Sequence, residues 1–410
     1  MREREEITIS TKHLRLRIVL FAVALLVAVA AFVIGVRSIG RRDPGYSRIE
    51  ATDKDLLRWN GAVDFEYRFE GSSASIRAQS RALQGVYAEA LGWAEKLLDA
   101  EERYPGYANL ATLNQCMGED VTVSSELFDV LTDALARTQA GEGYSLFAGP
   151  LYAEWNGLLL LEDPEDFDPS ADPEEAERLR RLAEAVNDPD NFRFQIVDAQ
   201  QHVVRFGVSE DLLRLLEELE LSCPVLDLNL LHDAYLLQLV AMRVEARGYD
   251  SGYLTTPHGL TLALSGESDA ELRLFGLQGT DAVPAAKTPL EGGRSYGALR
   301  AFALPGETYW YYTVESEGET LYRHPWLCTD AKTPQTVRSV CVSADSAPEA
   351  VCQALRLMRC ESAEEAQAAA AALALPAAYT LNGARSVYLN AAAGTSYEPE
   401  DYGWTLQPMD

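Results

Sequence analysis

The hydrophobic pattern begins with one long apolar run and continues into a body of short, mixed elements. Residues 18–36 read IVLFAVALLVAVAAFVIGV, without a charged side chain. At about 1.5 Å per residue, a helix of this length crosses a hydrocarbon core of about 30 Å. A cleaved signal peptide is the alternative, but its apolar region is typically shorter, and the small triplet Ala28-Val29-Ala30 lies inside this run. The run therefore predicts an uncleaved transmembrane helix.

Basic residues flank this run in nearly equal numbers on both sides, so the positive-inside rule alone does not decide its orientation. Arg2 and Arg4 tip the count toward a cytoplasmic N-terminus. We expect residues 1–17 to be cytoplasmic, residues 37–63 to form a polar tether, and the acidic body to lie outside the cytoplasm. The predicted location is the cell membrane, with a single pass.

The first part of the body predicts one strand and two helices. The alternating run DFEYRFE, which starts at Asp64, is typical of a half-buried strand. Residues 75–101 place apolar side chains at helical spacing and predict a long helix. Ser124 predicts the N-cap of a second helix, with Glu126 in its first turn.

Residues 162–191 are acidic and rich in proline, and predict an exposed insertion with one helix that starts at Asp172. A hairpin and an acidic helix capped by Ser209 are predicted next. The remaining predicted elements are, in chain order, a helix over 229–246, strands LTLAL, LRLFGL, LRAFAL, TYWYYTV and VRSVCVS, a helix over 350–358, a helix opened by Ser362, and strands AYTL and SVYL. Strands and helices alternate in clusters, which predicts an α+β fold.

Charge and motif content narrow the function. After residue 42 the chain carries 27 Lys and Arg against 60 Asp and Glu, which disfavours nucleic acid as a partner. The sequence has no P-loop, HExxH, GxSxG or GxGxxG motif, and its five histidines are not at metal-ligand spacing. These observations alone describe only an acidic globular body.

A series of local motifs runs through this body in a fixed order. They are YPGYANLATLN at 104–114, VTVSSEL at 121–127, GPL at 149–151 with Trp155, VLDL at 225–228 with Tyr235, YRH at 322–324, and a strand and helix over 337–355. In order and spacing this series resembles the FAD:protein FMN transferase (ApbE-like) family, and the resemblance covers residues 64–392.

The resemblance implies an α+β flavin-transferase domain over residues 64–392, followed by a C-terminal tail at 393–410. It implies FAD and Mg²⁺ as cofactors, and transfer of FMN to a Thr hydroxyl of an extracytoplasmic flavoprotein or redox partner. The site residues it assigns are His324 and Asp227 for catalysis, Tyr104, Asn114 and Tyr235 for cofactor binding, and Glu349 and Gln353 for the metal.

Several of these positions depart from the family pattern. Asp233 and Ala234 stand where the family has a Lys and a Gly, and residues 255–259 replace its glycine pair. Glu349 and Gln353 stand where the family has a metal-binding Asp and Thr. Attack at a pyrophosphate needs a divalent cation to neutralise the developing charge, and Asp233 would repel a diphosphate.

Three hypotheses follow from these departures. The first is a catalytically degenerate, membrane-anchored binding or scaffold module. The second is a divergent but active Mg²⁺-dependent FAD:protein FMN transferase. The third is another enzyme that uses Asp227, His232, Asp233 and His258 as acid–base groups; against it, adjacent helical residues such as His232 and Asp233 are expected to point apart.

Overall fold

The computed structural model describes residues 45–51, 62–141, 144–307, 309–394 and 396–409. The predicted N-terminal segment 1–17 and membrane span 18–36 lie outside these residues. Among the helices that are described, none is long and apolar enough to span a membrane. The chain divides into two compact units, residues 1–45 with 69–81 and residues 46–68 with 82–410. The sites considered below lie in the second unit.

Six of the nine helices of the described residues begin at a side chain that caps the first turn. They are α1 (Ser73–Leu98), α2 (Leu110–Gln115), α3 (Ser125–Ala140), α4 (Gly149–Leu159), α5 (Pro173–Asn187), α6 (Glu210–Glu218), α7 (His232–Glu245), α8 (Ala347–Met358) and α9 (Ala363–Ala371). Ser124, Ser209 and Ser362 each accept a hydrogen bond from a first-turn N–H, as predicted.

The strands form one large sheet and smaller ribbons. They are β1 (Gly45–Ile49), β2 (Asp64–Phe69), β3 (Asp120–Thr122), β4 (Phe192–Asp198), β5 (Val203–Val208), β6 (Gly252–Thr255), β7 (Leu260–Ala263), β8 (Glu271–Gln278), β9 (Asp281–Pro289), β10 (Ser295–Arg300), β11 (Tyr312–Ser316), β12 (Glu319–Arg323), β13 (Val337–Ala344), β14 (Ala377–Leu381), β15 (Ser386–Leu389), β16 (Glu398–Pro399) and β17 (Thr405–Pro408). The large sheet has the order β1-β2-β6-β7-β10-β13-β14-β15-β17. The smaller sheets are β11-β12, β16-β9-β8 and β3-β5-β4. This confirms the predicted α+β class.

The centre of the large sheet holds α8 in place. All eight residues of β13 are buried, including its polar residues Arg338, Ser339 and Ser343. Strand β10 pairs with β13, and a Cβ at Gly297 of β10 would lie 2.6 Å from the carbonyl oxygen of Ala350. Only glycine therefore allows α8 to lie this close to the sheet. This packing fixes the position of Glu349 and Gln353.

The acidic segment 162–191 is not simply an exposed insertion, which corrects the prediction. Helix α5 buries an apolar face that includes Leu179 and Leu182, and Arg178 forms an ion pair with Glu154 of α4. Asp168 is fully buried in the same segment and is bound by Arg323. The segment is acidic on its outer face, but its inner face belongs to the core.

The sheet extends beyond both predicted domain boundaries. Strand β1 lies in the segment predicted as a tether, and β17 of the predicted tail pairs in parallel with β15. Within the domain, the strands predicted over LRAFAL and TYWYYTV are shifted. Strand β10 ends at Arg300, and β11 begins only at Tyr312, because Trp310 has a φ of 73°, which no strand adopts.

Candidate functional site

A cavity of about 670 Å³ opens between helix ends and loops of the second unit. Its walls come from the last turn of α1, one face of α4 along its whole length, the first turn of α7 and the loop before it, the β6–β7 turn, and the segments around Trp310 and Trp326. Glycine shapes one wall, since a Cβ at Gly149 would lie 2.2 Å from the carbonyl oxygen of Pro224. The start of α4 thus lies directly against the loop that carries Asp227.

The lining of this cavity is strongly acidic. Its carboxylate and imidazole side chains are Glu95, Asp99, Glu101, Asp227, Asp233, His232 and His258, and its lining residues include no Lys or Arg. We call it the acidic cavity. Two unit charges 4 Å apart interact by about 4 kcal/mol at an effective dielectric constant of about 20. The lining therefore opposes the binding of an anion, and of a diphosphate above all.

Asp227 is held at the cavity wall by backbone hydrogen bonds. Its N–H donates to the Leu146 carbonyl at 3.0 Å, and its Oδ1 accepts from the Asn229 N–H at 2.6 Å. Burial raises the pKa of this carboxyl, although the Asn229 hydrogen bond and the nearby His232 act in the opposite direction. Asp227 was predicted as a catalytic residue, and it does reach the cavity.

Asn114 positions the loop beside Asp227 and does not line the cavity. Its Oδ1 accepts from the Leu226 N–H at 2.9 Å, and its Nδ2 donates to the Leu226 carbonyl at 2.9 Å. This pairing imitates a strand contact and fixes the residue before Asp227. Tyr104, also predicted to bind the cofactor, donates its hydroxyl to Asp99 Oδ2 at 2.6 Å. It thereby orients a carboxylate of the acidic cavity from behind.

His232 and Asp233 face the same cavity, contrary to the expectation that adjacent helical residues point apart. His232 is the first residue of α7, where the chain leaves a short 3₁₀ turn, and its Nδ1 lies 3.4 Å from Asp233 Oδ1. Burial disfavours the imidazolium, but the Asp233 contact and the carboxylates of Glu95 and Asp227 raise the pKa of His232 to about 9. The same imidazolium helps to lower the pKa of Asp233 against the effect of burial.

The raised pKa of His232 predicts how stability depends on pH. Because the pKa in the folded state exceeds the usual value of about 6.5, protonated His232 stabilises the folded state. This contribution to the free energy of unfolding is complete below pH 6.5 and is lost as the pH rises through about 9. We expect the free energy of unfolding, measured with denaturant, to fall across this window more steeply in the wild type than in His232→Gln. Equal slopes for the two proteins would contradict the assignment.

The fourth predicted acid–base residue, His258, closes the cavity on the side of the β6–β7 turn. Its ring meets Trp310 edge-on, with centroids 5.1 Å apart, and lies 6.1 Å from the ring of Trp326. Burial lowers the pKa of His258 despite the attraction of Asp233. The cavity therefore combines a cationic and a neutral imidazole with aromatic walls.

The positions predicted to bind metal surround an arginine. Arg137 of α3 donates from Nη1 to Glu349 Oε2 at 3.0 Å and from Nε to Asp133 Oδ2 at 2.8 Å. Gln353 donates to Glu349 Oε1 at 3.1 Å, and the Tyr235 hydroxyl donates to Asp133 Oδ2 at 2.7 Å. Burial disfavours the charged guanidinium, but these carboxylates raise its pKa overall. Tyr235, Glu349 and Gln353 thus do come together, around a guanidinium.

This donor set does not fit a divalent cation. Mg²⁺ needs oxygen ligands free to approach within about 2.1 Å, whereas Arg137 already uses an oxygen of Glu349 and both oxygens of Asp133. Across the described ranges, no three His, Cys, Asp or Glu side chains form a group that could hold a metal. The implied magnesium site is therefore not supported at the positions to which the resemblance assigns it.

His324, the other predicted catalytic residue, lies in the core and outside the acidic cavity. It is fully buried, its Nδ1 accepts from the Trp326 N–H at 3.3 Å, and its Nε2 lies 3.5 Å from the Pro334 carbonyl. Burial and nearby arginines lower the pKa of His324 to about 3. Its position is that of a neutral residue that orders the β12–β13 connection.

Sequence reasoning missed Arg137, Glu95 and the two tryptophans. Arg137 lies 212 residues from Glu349 along the chain, so no local pattern joins them. Glu95 offered a signal, because a carboxylate stands between Ala94 and Leu98 on the apolar face of α1 and is itself buried. A buried carboxylate on an apolar face indicates either a partner or a cavity.

No family model and no curated protein matches the chain. Among solved structures, it is similar to the ApbE protein from Thermotoga maritima, with a TM-score of 0.54 and 13% identity over 87% of this chain and 97% of that one. It is similar to flavin transferase ApbE from Vibrio cholerae, with a TM-score of 0.53 and 16% identity over 85% of this chain and 98% of that one. It is also similar to the apo form of the flavinyl transferase ApbE from Pseudomonas stutzeri, with a TM-score of 0.51 and 14% identity over 83% of this chain and 92% of that one. The resemblance is thus confirmed at the level of the fold: this chain has the fold of the ApbE flavin transferases.

Proposed function

We propose that this protein is a membrane-tethered, non-catalytic binding module built on the ApbE fold. The observation that carries the proposal is the guanidinium of Arg137 between Asp133 and Glu349, since Glu349 is a position to which the resemblance assigns a metal. A permanent side-chain cation neutralises these carboxylates in every state of the protein. The positive charge that phosphoryl chemistry requires is then neither exchangeable nor free to approach a substrate.

The acidic cavity supports the same proposal through its charge. FAD carries a diphosphate, and FMN transfer develops further negative charge on it. Asp233 stands where the family has a Lys, and it lines the cavity together with Glu95 and Asp227. Without a metal or a lysine, the five carboxylates of the lining outnumber the single imidazolium of His232, so the lining repels a diphosphate.

The ligand that this cavity favours is positively charged. Carboxylates that face a cavity are stabilised by an ammonium or guanidinium group, and the rings of Trp310 and Trp326 give such a group an aromatic surface. A partner protein that presents a Lys or Arg side chain meets both conditions. The module is therefore a receptor for a basic ligand or partner, which replaces the flavin of the parent fold.

The anchor places this module at the membrane surface. The apolar run at 18–36 supplies the helix, and an acidic body of about 370 residues after a single N-terminal span is typically translocated. Protease added to intact spheroplasts is expected to digest the body of the full-length protein. Protection of the body until the membrane is permeabilised would place it in the cytoplasm instead.

An assay for flavin transfer tests the loss of catalysis. The full-length protein in mild detergent is incubated with FAD, Mg²⁺ and a Thr-containing acceptor protein, and covalent flavin is detected by in-gel fluorescence. The flavin transferase ApbE from Vibrio cholerae serves as a positive control with its own acceptor. We expect no labelled acceptor with this protein. Labelling that depends on Mg²⁺ would establish the active-transferase alternative.

A second candidate function, acid–base catalysis on a small substrate, is favoured by one observation. His232, Asp233, Asp227 and His258 all line the acidic cavity, and their pKa values are shifted in different directions. The variant Asp227→Asn, which removes a charge at similar volume, distinguishes an acid–base enzyme from a receptor. Turnover lost with ligand binding retained indicates an enzyme, whereas binding without turnover in both proteins indicates a receptor.

A further inference from the structure

A second cavity lies at the β8–β9 and β14–β15 turns and shares no lining residue with the acidic cavity. Its volume is about 200 Å³, and Tyr322 and Arg338 line it together with both turns. Its lining residues include no Asp or Glu, in a chain whose net charge is −28. We call it the arginine cavity, because Arg338 and Arg385 are its charged residues.

Arg338 is the unusual member of this cavity. The side chain emerges where the register between β13 and β14 shifts, between Val337 and Ser339, and the residue is only 2% exposed. Its guanidinium carbon lies 3.8 Å from the centre of the Tyr322 ring, and Nη1 makes one long contact of 3.4 Å with Gln335 Oε1. Its Nε is buried without a hydrogen-bond acceptor.

No carboxylate in the described ranges forms an ion pair with Arg338, whereas the other buried arginine, Arg300, is paired with Glu307 and the nearby Arg323 is paired with Asp168. Burial without a counter-charge lowers the pKa of Arg338 to about 10. A buried guanidinium with an N–H that makes no hydrogen bond destabilises the folded state, unless an anion accepts a hydrogen bond from it. The arginine cavity is the space from which that anion can come.

We infer that the arginine cavity binds a phosphate-type dianion between Arg338 and Arg385. Guanidinium groups present paired N–H donors that match phosphate oxygens, and a dianion balances the charge of two of them more fully than a single carboxylate would. The turn that joins β14 to β15, with Asn382 and Gly383, adds polar groups to the rim. The ligand is a phosphate monoester group or inorganic phosphate, and the Tyr322 ring fixes Arg338 for its arrival.

Thermal unfolding of the full-length protein in detergent tests this site, with inorganic phosphate compared against chloride at equal ionic strength. We expect phosphate to raise Tm in the wild type, because a ligand that binds the folded state stabilises it. Arg338→Met should abolish the shift, and Arg385→Ala, an exposed change that should not impair folding, should weaken phosphate affinity by about tenfold or more. Arg214→Ala, at an exposed arginine outside the cavity, is the matched control and should keep the shift.

A parallel titration with a water-soluble, short-chain phosphatidate identifies the source of the phosphate group. Competition between phosphatidate and inorganic phosphate, with tighter binding of the lipid, points to a headgroup at the membrane surface. Tighter binding of inorganic phosphate points to a soluble ligand, and either result supports the site. A Tm that is equal in phosphate and chloride, or a shift that survives both Arg338→Met and Arg385→Ala, overturns the inference.

Discussion

Replacing Asp168 with Ala is expected to lower the free energy of unfolding by about 3–5 kcal/mol. Asp168 is fully buried and accepts from Arg323 Nε at 2.7 Å, from Arg323 Nη2 at 2.9 Å and from the Tyr312 hydroxyl at 2.8 Å. Its removal leaves the guanidinium of Arg323 without a counter-charge, and the cost of that unpaired charge exceeds the value of the hydrogen bonds alone. Urea denaturation of the full-length protein measures the change.

The control is Asp166→Ala, an exposed carboxylate in the same segment, which should change stability by no more than about 0.5 kcal/mol.

The dependence of stability on acidic pH provides a second check on Asp168. Although burial opposes ionisation, Arg323 and Ser170 lower the pKa of Asp168 below its usual value near 3.8. Its stabilisation is therefore present above that value and is lost as the pH falls through the lower pKa of the folded state. An Asp168→Ala protein as stable as the control would refute this account of the acidic segment.

Replacing Arg137 with Met is expected to cost about 1–3 kcal/mol of folding stability. The change leaves the carboxylates of Asp133 and Glu349 facing each other without a cation. The loss is smaller than for Asp168, because these carboxylates are 42% and 36% exposed and water can solvate them. Arg180→Met, which removes a solvent-exposed arginine paired with two glutamates, should cost less than about 1 kcal/mol.

The effect of Mg²⁺ on Tm tests whether Arg137 excludes a metal ion from the carboxylates of Asp133 and Glu349. Mg²⁺ should leave the Tm of the wild type unchanged, because Arg137 already neutralises the cluster. The Arg137→Met protein should be stabilised by Mg²⁺, since a ligand that binds only the folded state raises Tm. Stabilisation of the wild type by Mg²⁺ at similar concentrations would show that the guanidinium does not exclude the ion.

Local chemistry in the sequence predicted much of the fold. Ser124, Ser209 and Asp172 cap helices as expected, since a cap depends on a few neighbouring residues. Strand β9 was missed because Pro284 is untypical of a strand interior; here it lies where the β8–β9 register shifts, in a strand that is paired on both sides. Strand β17 was missed because its partner, β15, has no distinctive local signal.

The candidate site was predictable in position more than in orientation. The family motifs located Asp227, Tyr235 and Glu349, but they could not show that Tyr235 and Glu349 converge on Arg137. Ion pairs between distant segments leave no periodic trace in a sequence. His324 illustrates the same limit, because its motif placed it correctly on the chain while the packing of the core decided that both ring nitrogens face backbone groups.

The most direct test of the central claim is a flavin fluorescence titration of the full-length protein with FAD, with and without Mg²⁺. The acidic cavity and the guanidinium at the implied metal site predict a Kd weaker than about 100 µM, unchanged by Mg²⁺. Micromolar binding that requires Mg²⁺ would contradict the account and establish an intact flavin site on this fold.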